Sequence, residues 1–222
     1  MEIFASIYAK AVERAGRQST LEEQLPQPKS ADELCATPDD RYLSLMCLRI
    51  FRAGLKHSLV DARWPAFEKT FHGFSPRPIV AMSDEELERL MGDKRLVRHW
   101  AKMKAVRANA SAMLKLAEEK GSFGRYLADW PGTEIVELWA DLGRRFAQLG
   151  GNSAPSVLRM VGKDTFLLTG DVVQALLAAG ASEREPKSKA DRKAVQAAFN
   201  RWVEESGRPL CHISRILALS VG

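Results

Sequence analysis

Residues 148–180, "QLGGNSAPSVLRMVGKDTFLLTGDVVQALLAAG", set a glycine pair at the mouth of one helix and an acid, Asp171, at the mouth of the next. The turn can meet an anion through the amides of Gly150, Gly151, Asn152 and Ser153, because glycine reaches positive φ freely and a helix start carries partial positive charge. The same residues also suit a plain glycine C-cap followed by a serine helix start. Asp171 is either a cap that accepts a backbone N–H or a carboxylate that stabilises positive charge developing on a bound molecule. Cations concentrate upstream, in "RLVRHWAKMKAVRANASAMLK" at 95–115, with Arg95, Arg98, Lys102, Lys104, Arg107 and Lys115, and His99 as a conditional member. Such a run is a solvated helix face or a surface for a polyanion.

Other chemistries are poorly served. Cys35, Cys47 and Cys211 are scattered and odd in number, which argues against a disulfide framework. Cys211 and His212 are adjacent but lack the second pair that a zinc site needs, so neither metal nor cofactor is expected. Lys and Arg exceed Asp and Glu by 33 to 28, a net charge of +5 that permits a polyanionic partner without requiring one. No apolar run approaches a membrane span, and "MEIFASIYAKAVERAG" carries charges where a signal peptide needs an apolar block. The expectation is a soluble, cytoplasmic, monomeric protein with no membrane partner.

The elements that must hold these residues are helical throughout. Ile135, Leu138, Trp139, Leu142, Phe146 and Leu149 recur at helical spacing, which predicts a helix burying one face and ending at Gly150. Comparable stripes occupy 39–54, 59–71, 95–120, 171–179, 189–205 and 209–220, and "SDEE" at 83–86 is a capping box for a short helix that stops near Gly92. The Pro-rich stretch 25–40 separates an amphipathic first helix from the main body, and 181–191 is a second polar connector. The reading is an all-α bundle of about ten helices, with residues 1–38 as an N-terminal helix and linker appendage and 39–222 as one domain.

Two stretches resemble a known family. "LMCLRIFRAGLKHSLVDARWPAFEKTF" and "IVAMSDEELERLMGDKRLVRHWAKMKAVRANA" are similar to the bacterial 3-methyladenine DNA glycosylase I family, a branch of the helix-hairpin-helix glycosylases. Cys47, Leu48, Ala53, Gly54, Leu55, Phe71, Arg98, His99, Lys102, Ala105, Asn109 and Ala110 carry the likeness. "LGG", the helix from Ser153 to Val161 and "GKDTFLLTGDVV" resemble the hairpin and catalytic loop of that superfamily, in whose alkylation-repair branch a KD-x-F run precedes the catalytic acid.

The resemblance implies a monofunctional glycosylase of base-excision repair that hydrolyses the N-glycosidic bond of an alkylated purine such as 3-methyladenine. It implies Asp171 as catalytic carboxylate and double-stranded DNA containing a damaged base as partner. Gly150, Gly151, Asn152, Ser153, Lys102, Arg107 and Lys163 are the expected DNA contacts. Arg49, His57, Trp64, Trp100 and Phe166 are the expected base-pocket residues, since an extruded base needs planar or apolar walls. Asn152 or Ser153 stands where strand-cutting relatives hold a lysine, which disfavours a Schiff base. Arg49 stands where the family holds its base-recognising Glu, His57 where it holds a Trp, and the family's zinc ligands find no counterparts. Two alternatives stay open: a noncatalytic DNA-binding protein of the same fold, and an all-α interaction module whose N-terminal helix docks a partner.

Overall fold

The computed structural model describes residues 2–221, and the described residues form only helices and connecting loops. In order these are α1 (Glu2–Ala15), α2 (Gln18–Glu22), α3 (Ala31–Ala36), α4 (Asp39–Arg52), α5 (His57–Thr70), α6 (Pro76–Ala81), α7 (Asp84–Leu90), α8 (Trp100–Lys120), α9 (Phe123–Asp129), α10 (Ile135–Arg145), α11 (Ser153–Val161), α12 (Gly170–Ala178), α13 (Lys189–Ser206) and α14 (Leu210–Leu219). The all-α class agrees with the sequence reading. The larger count arises from short helices such as α2, α3 and α9, whose five to seven residues show no readable periodicity. Among the described residues no helix is long and apolar enough to cross a membrane.

The chain divides into two compact units. One comprises the chain up to Lys29, Pro131–Leu138 and the chain from Gly162 on; the other comprises Ser30–Trp130 and Trp139–Val161. In the second unit α4 packs on α5, α8, α9 and α11, and α6 packs on α8. Its aromatic core runs through Phe51, Trp64, Phe67, Phe71 and Phe74, with Trp64 stacked on Phe67 at 4.9 Å and on Phe74 at 5.2 Å. Aromatic contacts of this kind add to area burial by roughly 0.5–1.5 kcal/mol per pair.

The stretch read as a linker, 25–40, contains α3. Ser30 and Glu33 close a reciprocal capping box, and Tyr42 donates to the Leu34 carbonyl at 2.8 Å. A Cβ at Gly124 would collide with that same carbonyl, so only glycine lets α9 approach α3 so closely. The flanking prolines obscured a helix that tertiary contacts secure. The capping box at Ser83 and Glu86 forms as read, opening α7.

Two helix boundaries differ from the periodicity. α8 begins at Trp100 rather than near 95, because Asp93 holds both the amide and the guanidinium of Arg95 in a turn, and His99, just ahead of the helix, is extended. α10 stops at Arg145, short of Gly150, although Phe146 and Leu149 are buried as the stripe requires.

In the first unit α1 packs on α2 and α14, and α12 and α13 pack on α14. Val195, Phe199, Trp202, Ile213, Ile216 and Leu217 are all buried there, as their spacing predicts. Glu22 accepts from Tyr8 at 2.9 Å and from both terminal nitrogens of Arg208, which tie α1 and α2 to the chain before α14.

Candidate functional site

The hairpin belongs to the second unit and is built by a residue from another helix. Asn109 on α8 is fully buried and grips Ala147 from both sides, donating to its carbonyl at 3.1 Å and accepting from its amide at 2.7 Å. That grip replaces the next helical turn and ends α10. Gln148 then takes a φ of 64° and Gly151 a φ of 59°, both in the left-handed region. Glycine tolerates this freely, whereas Gln148 is held there against its preference. Gly150, Gly151 and Asn152 are exposed, and their amides find no acceptor among the described residues. Ser153 differs: its amide donates to the Gly150 carbonyl at 3.1 Å and closes the turn internally. Three free N–H groups at the start of a helix can face an anion.

Charge is also organised at the end of α10. Asp141 is buried and accepts from Tyr126 at 2.8 Å, Arg144 at 2.7 Å and Arg145 at 2.8 Å. Burial pushes its carboxyl up, but these three donors outweigh burial and hold it below the usual carboxylate range.

Asp171 lies in the first unit, and the residues before it form its mount. Asp164 accepts from the amides of Leu210 at 2.9 Å and Cys211 at 2.8 Å, capping α14 from a distance in sequence. Phe166 is fully buried and stacks on Phe199 at 4.2 Å. The Leu167 amide donates to Ser214 Oγ at 3.0 Å. Thr169 caps α12, its hydroxyl accepting from the Val172 amide at 3.3 Å. The KD-x-F run is therefore a structural clamp, and the helix already has its cap. Asp171 sits exposed in the first turn of α12. A negative charge is favoured at that end of a helix. The groove of about 340 Å³ in this unit, lined by Ile3, Ile7, Lys10, Ala175 and Ala178 among others, runs along the far half of α12.

The sequence-expected base-pocket residues fall in different settings. Phe166 presents no face to a ligand, because its ring is covered in the core. Trp64 is half-buried, its indole N–H donating to Ser44 Oγ at 3.1 Å. Trp100 is half-buried, with the Lys104 ammonium 5.3 Å from its ring centre. His57 is exposed at the start of α5. Arg49, half-buried near the end of α4, makes no hydrogen bond or ion pair among the described residues. Burial and then the charge of Arg52 hold its guanidinium below the usual arginine range.

Of the three expected cationic contacts, two are committed elsewhere and the third is buried. Lys102 is 7% exposed and its ammonium donates to the carbonyls of Phe51 at 3.2 Å and Ala53 at 2.6 Å, closing the C-terminus of α4. Arg107 donates to the Met82 carbonyl at 2.7 Å and pairs with Asp84. Lys163 is 8% exposed. A charge run cannot reveal which members a fold consumes, whereas Arg98, Lys104 and Lys115 of the same run do stay exposed. Asn109 and Asp164 had one readable signal each, a polar residue on the buried stripe of α8 and an acid inside KD-x-F, but neither signal names its distant partner.

The methyladenine glycosylase family model matches residues 34–157, which take in α4, α8 and the hairpin. The chain is 31% identical over 87 residues to DNA-3-methyladenine glycosylase 1 of Escherichia coli strain K12, covering 39% of this chain and 46% of that protein. It is 29% identical over 82 residues to DNA-3-methyladenine glycosylase of Haemophilus influenzae, covering 37% and 44%. The chain thus spans less than half the length of these curated relatives. Among solved structures, 3-methyladenine DNA glycosylase I superposes with a TM-score of 0.52 at 23% identity over 64% of this chain and 85% of that one. The 8-oxoguanine DNA glycosylase of Methanocaldococcus jannaschii superposes with a TM-score of 0.56 at 13% identity over 96% of this chain and 91% of that one, a likeness of fold. With more than half of its residues under the family model, the hairpin and its Asn109 clamp included, the chain belongs to the methyladenine glycosylase family.

Proposed function

We propose that this protein is a monofunctional DNA glycosylase of base-excision repair, hydrolysing the bond between a damaged purine, of the alkylated class, and its deoxyribose. The observation that carries the reading is Asp171: an exposed carboxylate in the first turn of α12, relieved of capping by Thr169 and delivered by a clamped segment. Breaking the glycosidic bond sends its electron pair out with the base and leaves oxocarbenium character on the sugar. Water adds to the anomeric carbon and loses a proton, giving a free base and an abasic site. A carboxylate beside the sugar stabilises the cation and receives that proton.

The hairpin amides of Gly150, Gly151 and Asn152 suit a phosphate of duplex DNA without sequence preference, as a repair enzyme requires. The family's relatives carry 3-methyladenine glycosylase names, which supports the same class.

The test is single-turnover incubation with alkylated genomic DNA at saturating protein, with released bases identified by mass spectrometry. Asp171→Asn keeps the shape and removes the charge, so base release falls by about two to three orders of magnitude while duplex affinity is retained. Equal rates for both proteins would sink the catalytic assignment. Duplex binding without release by either protein would establish the noncatalytic reading instead.

A further inference from the structure

Within the first unit, the chain ahead of Ser30 is fastened along the start of α14. Glu22 accepts from Arg208 at 2.6 and 3.1 Å, and Arg215 donates to Gln24 Oε1 at 3.3 Å. The Cys211 thiol donates to the Pro26 carbonyl at 3.5 Å, and the His212 ring also hydrogen-bonds that carbonyl. The Lys29 amide donates to the Gly162 carbonyl at 2.8 Å. A Cβ on Gly162 would come within 2.7 Å of the Lys29 stem, so only a bare backbone admits this contact. Residues 22–29 thus form a strap that ends against Gly162, next to the Lys163–Asp164 pair whose acid clamps α14 and opens the mount of Asp171.

His212 is the fastening whose strength depends on a proton. Its Nε2 is buried and has no hydrogen-bond partner among the described residues. A neutral ring leaves a lone pair there, whereas a protonated ring places a covered N–H and a positive charge at the same spot without an acceptor. The charged groups that face the ring are Glu22 from α2, Asp164 from the segment before α12 and Arg208 from the chain before α14. The acids are engaged already: Glu22 accepts from Arg208 and from Tyr8 of α1, and Asp164 from the amides of Leu210 and Cys211. Burial holds the imidazole below the usual histidine range, against the opposing pull of the Pro26 carbonyl. The folded unit therefore takes up this proton less readily than the unfolded chain. The stability concerned is complete above about pH 6.5 and declines as the pH falls from there.

We propose that His212 is a positioning residue for base release: uncharged, it fastens the strap against the segment that carries Asp171, and a proton on Nε2 loosens the strap and lets the carboxylate drift from the sugar. This rests on the glycosylase reading above, with Asp171 as its catalytic carboxylate. The N-terminal segment is then a pH-sensitive brace of that carboxylate.

The experiment follows two quantities between about pH 5.5 and 7.5, the range in which a histidine changes charge. One is amide hydrogen exchange in residues 22–29, corrected for the intrinsic rate. The other is single-turnover base release from alkylated genomic DNA, after subtraction of spontaneous release. As the pH falls, the wild-type strap is expected to exchange faster and release to decline, with a limiting slope of about tenfold per pH unit, as one proton requires. His212→Gln, uncharged throughout, is expected to show neither change, and its unfolding midpoint checks that it is folded. Strap exchange that is level with pH in wild type overturns the proposal, whether or not the variant folds, and leaves the glycosylase reading standing. A decline in release shared equally by His212→Gln also overturns it, because another group then carries the titration. No release by wild type at any pH overturns both readings.

Discussion

Asp164 and Asp171 carry the same side chain within one short segment and do opposite things. Asp164 gives both carboxylate oxygens to the amides of Leu210 and Cys211, two buried residues at the start of α14. Asp171 gives its oxygens to no cap, since Thr169 already serves α12. The first acid fixes the path of the chain, and the second stays exposed, as its proposed catalytic role requires. Asp164→Ala would strand two buried donors at about 1–3 kcal/mol each, so an overall loss of about 2–4 kcal/mol is expected. Asp164→Asn, retaining one acceptor, loses less. Denaturant unfolding of the three proteins measures this, and an Asp164→Ala protein as stable as wild type would remove the clamp from the account. Base release by Asp164→Ala, assayed where the protein is still folded, should fall as well, because the mount of Asp171 loosens.

At the scale of elements, the hairpin is shaped by α8 as much as by its own residues. Asn109 captures Ala147 with two hydrogen bonds, α10 ends there, and Gln148 is carried into the left-handed region. Asn109→Leu fits an apolar environment but cannot supply either bond. It is expected to cost about 1–3 kcal/mol and to weaken duplex binding about tenfold or more as the hairpin amides lose their fixed direction. Unfolding midpoints and duplex titrations at one salt concentration test this together; a full loss of stability with unchanged affinity would separate the clamp from DNA binding. The stripe of α10, the glycine turn, α11 and the capping box of α7 were legible because each is a local pattern of three to four residues. What stayed hidden is non-local. The periodicity of 135–149 ran through Phe146 and Leu149, both buried, and nothing within that window shows that a residue on α8 cuts the helix short. The same limit hid α3, whose capping box is local but whose security comes from Tyr42 and the bare backbone of Gly124.

At the scale of the whole molecule, the net charge of +5 is a poor guide to the surface proposed to meet DNA, because many cations are consumed by the fold. Lys102 closes α4, Arg107 is tied to Asp84 and Met82, and Arg95 is chelated by Asp93. Arg98 and Lys104 are exposed, and Lys104 keeps its ammonium over Trp100 without an acid partner. Each phosphate neutralised by a side chain releases counterions and contributes about −0.9 to the slope of log affinity against log salt. Replacing both Arg98 and Lys104 by Ala should therefore flatten that slope by about two and lower affinity alike on unrelated duplexes, with little change in unfolding midpoint. Lys102→Met should do the reverse: the slope stays, while stability drops because two carbonyls at a helix C-terminus lose their cation. Salt titrations of duplex binding, run beside thermal unfolding for the three proteins, distinguish these roles. A flattened slope for Lys102→Met at unchanged stability would mean that its ammonium leaves the α4 carbonyls to meet DNA, and the division between structural and phosphate-facing cations would have to be redrawn.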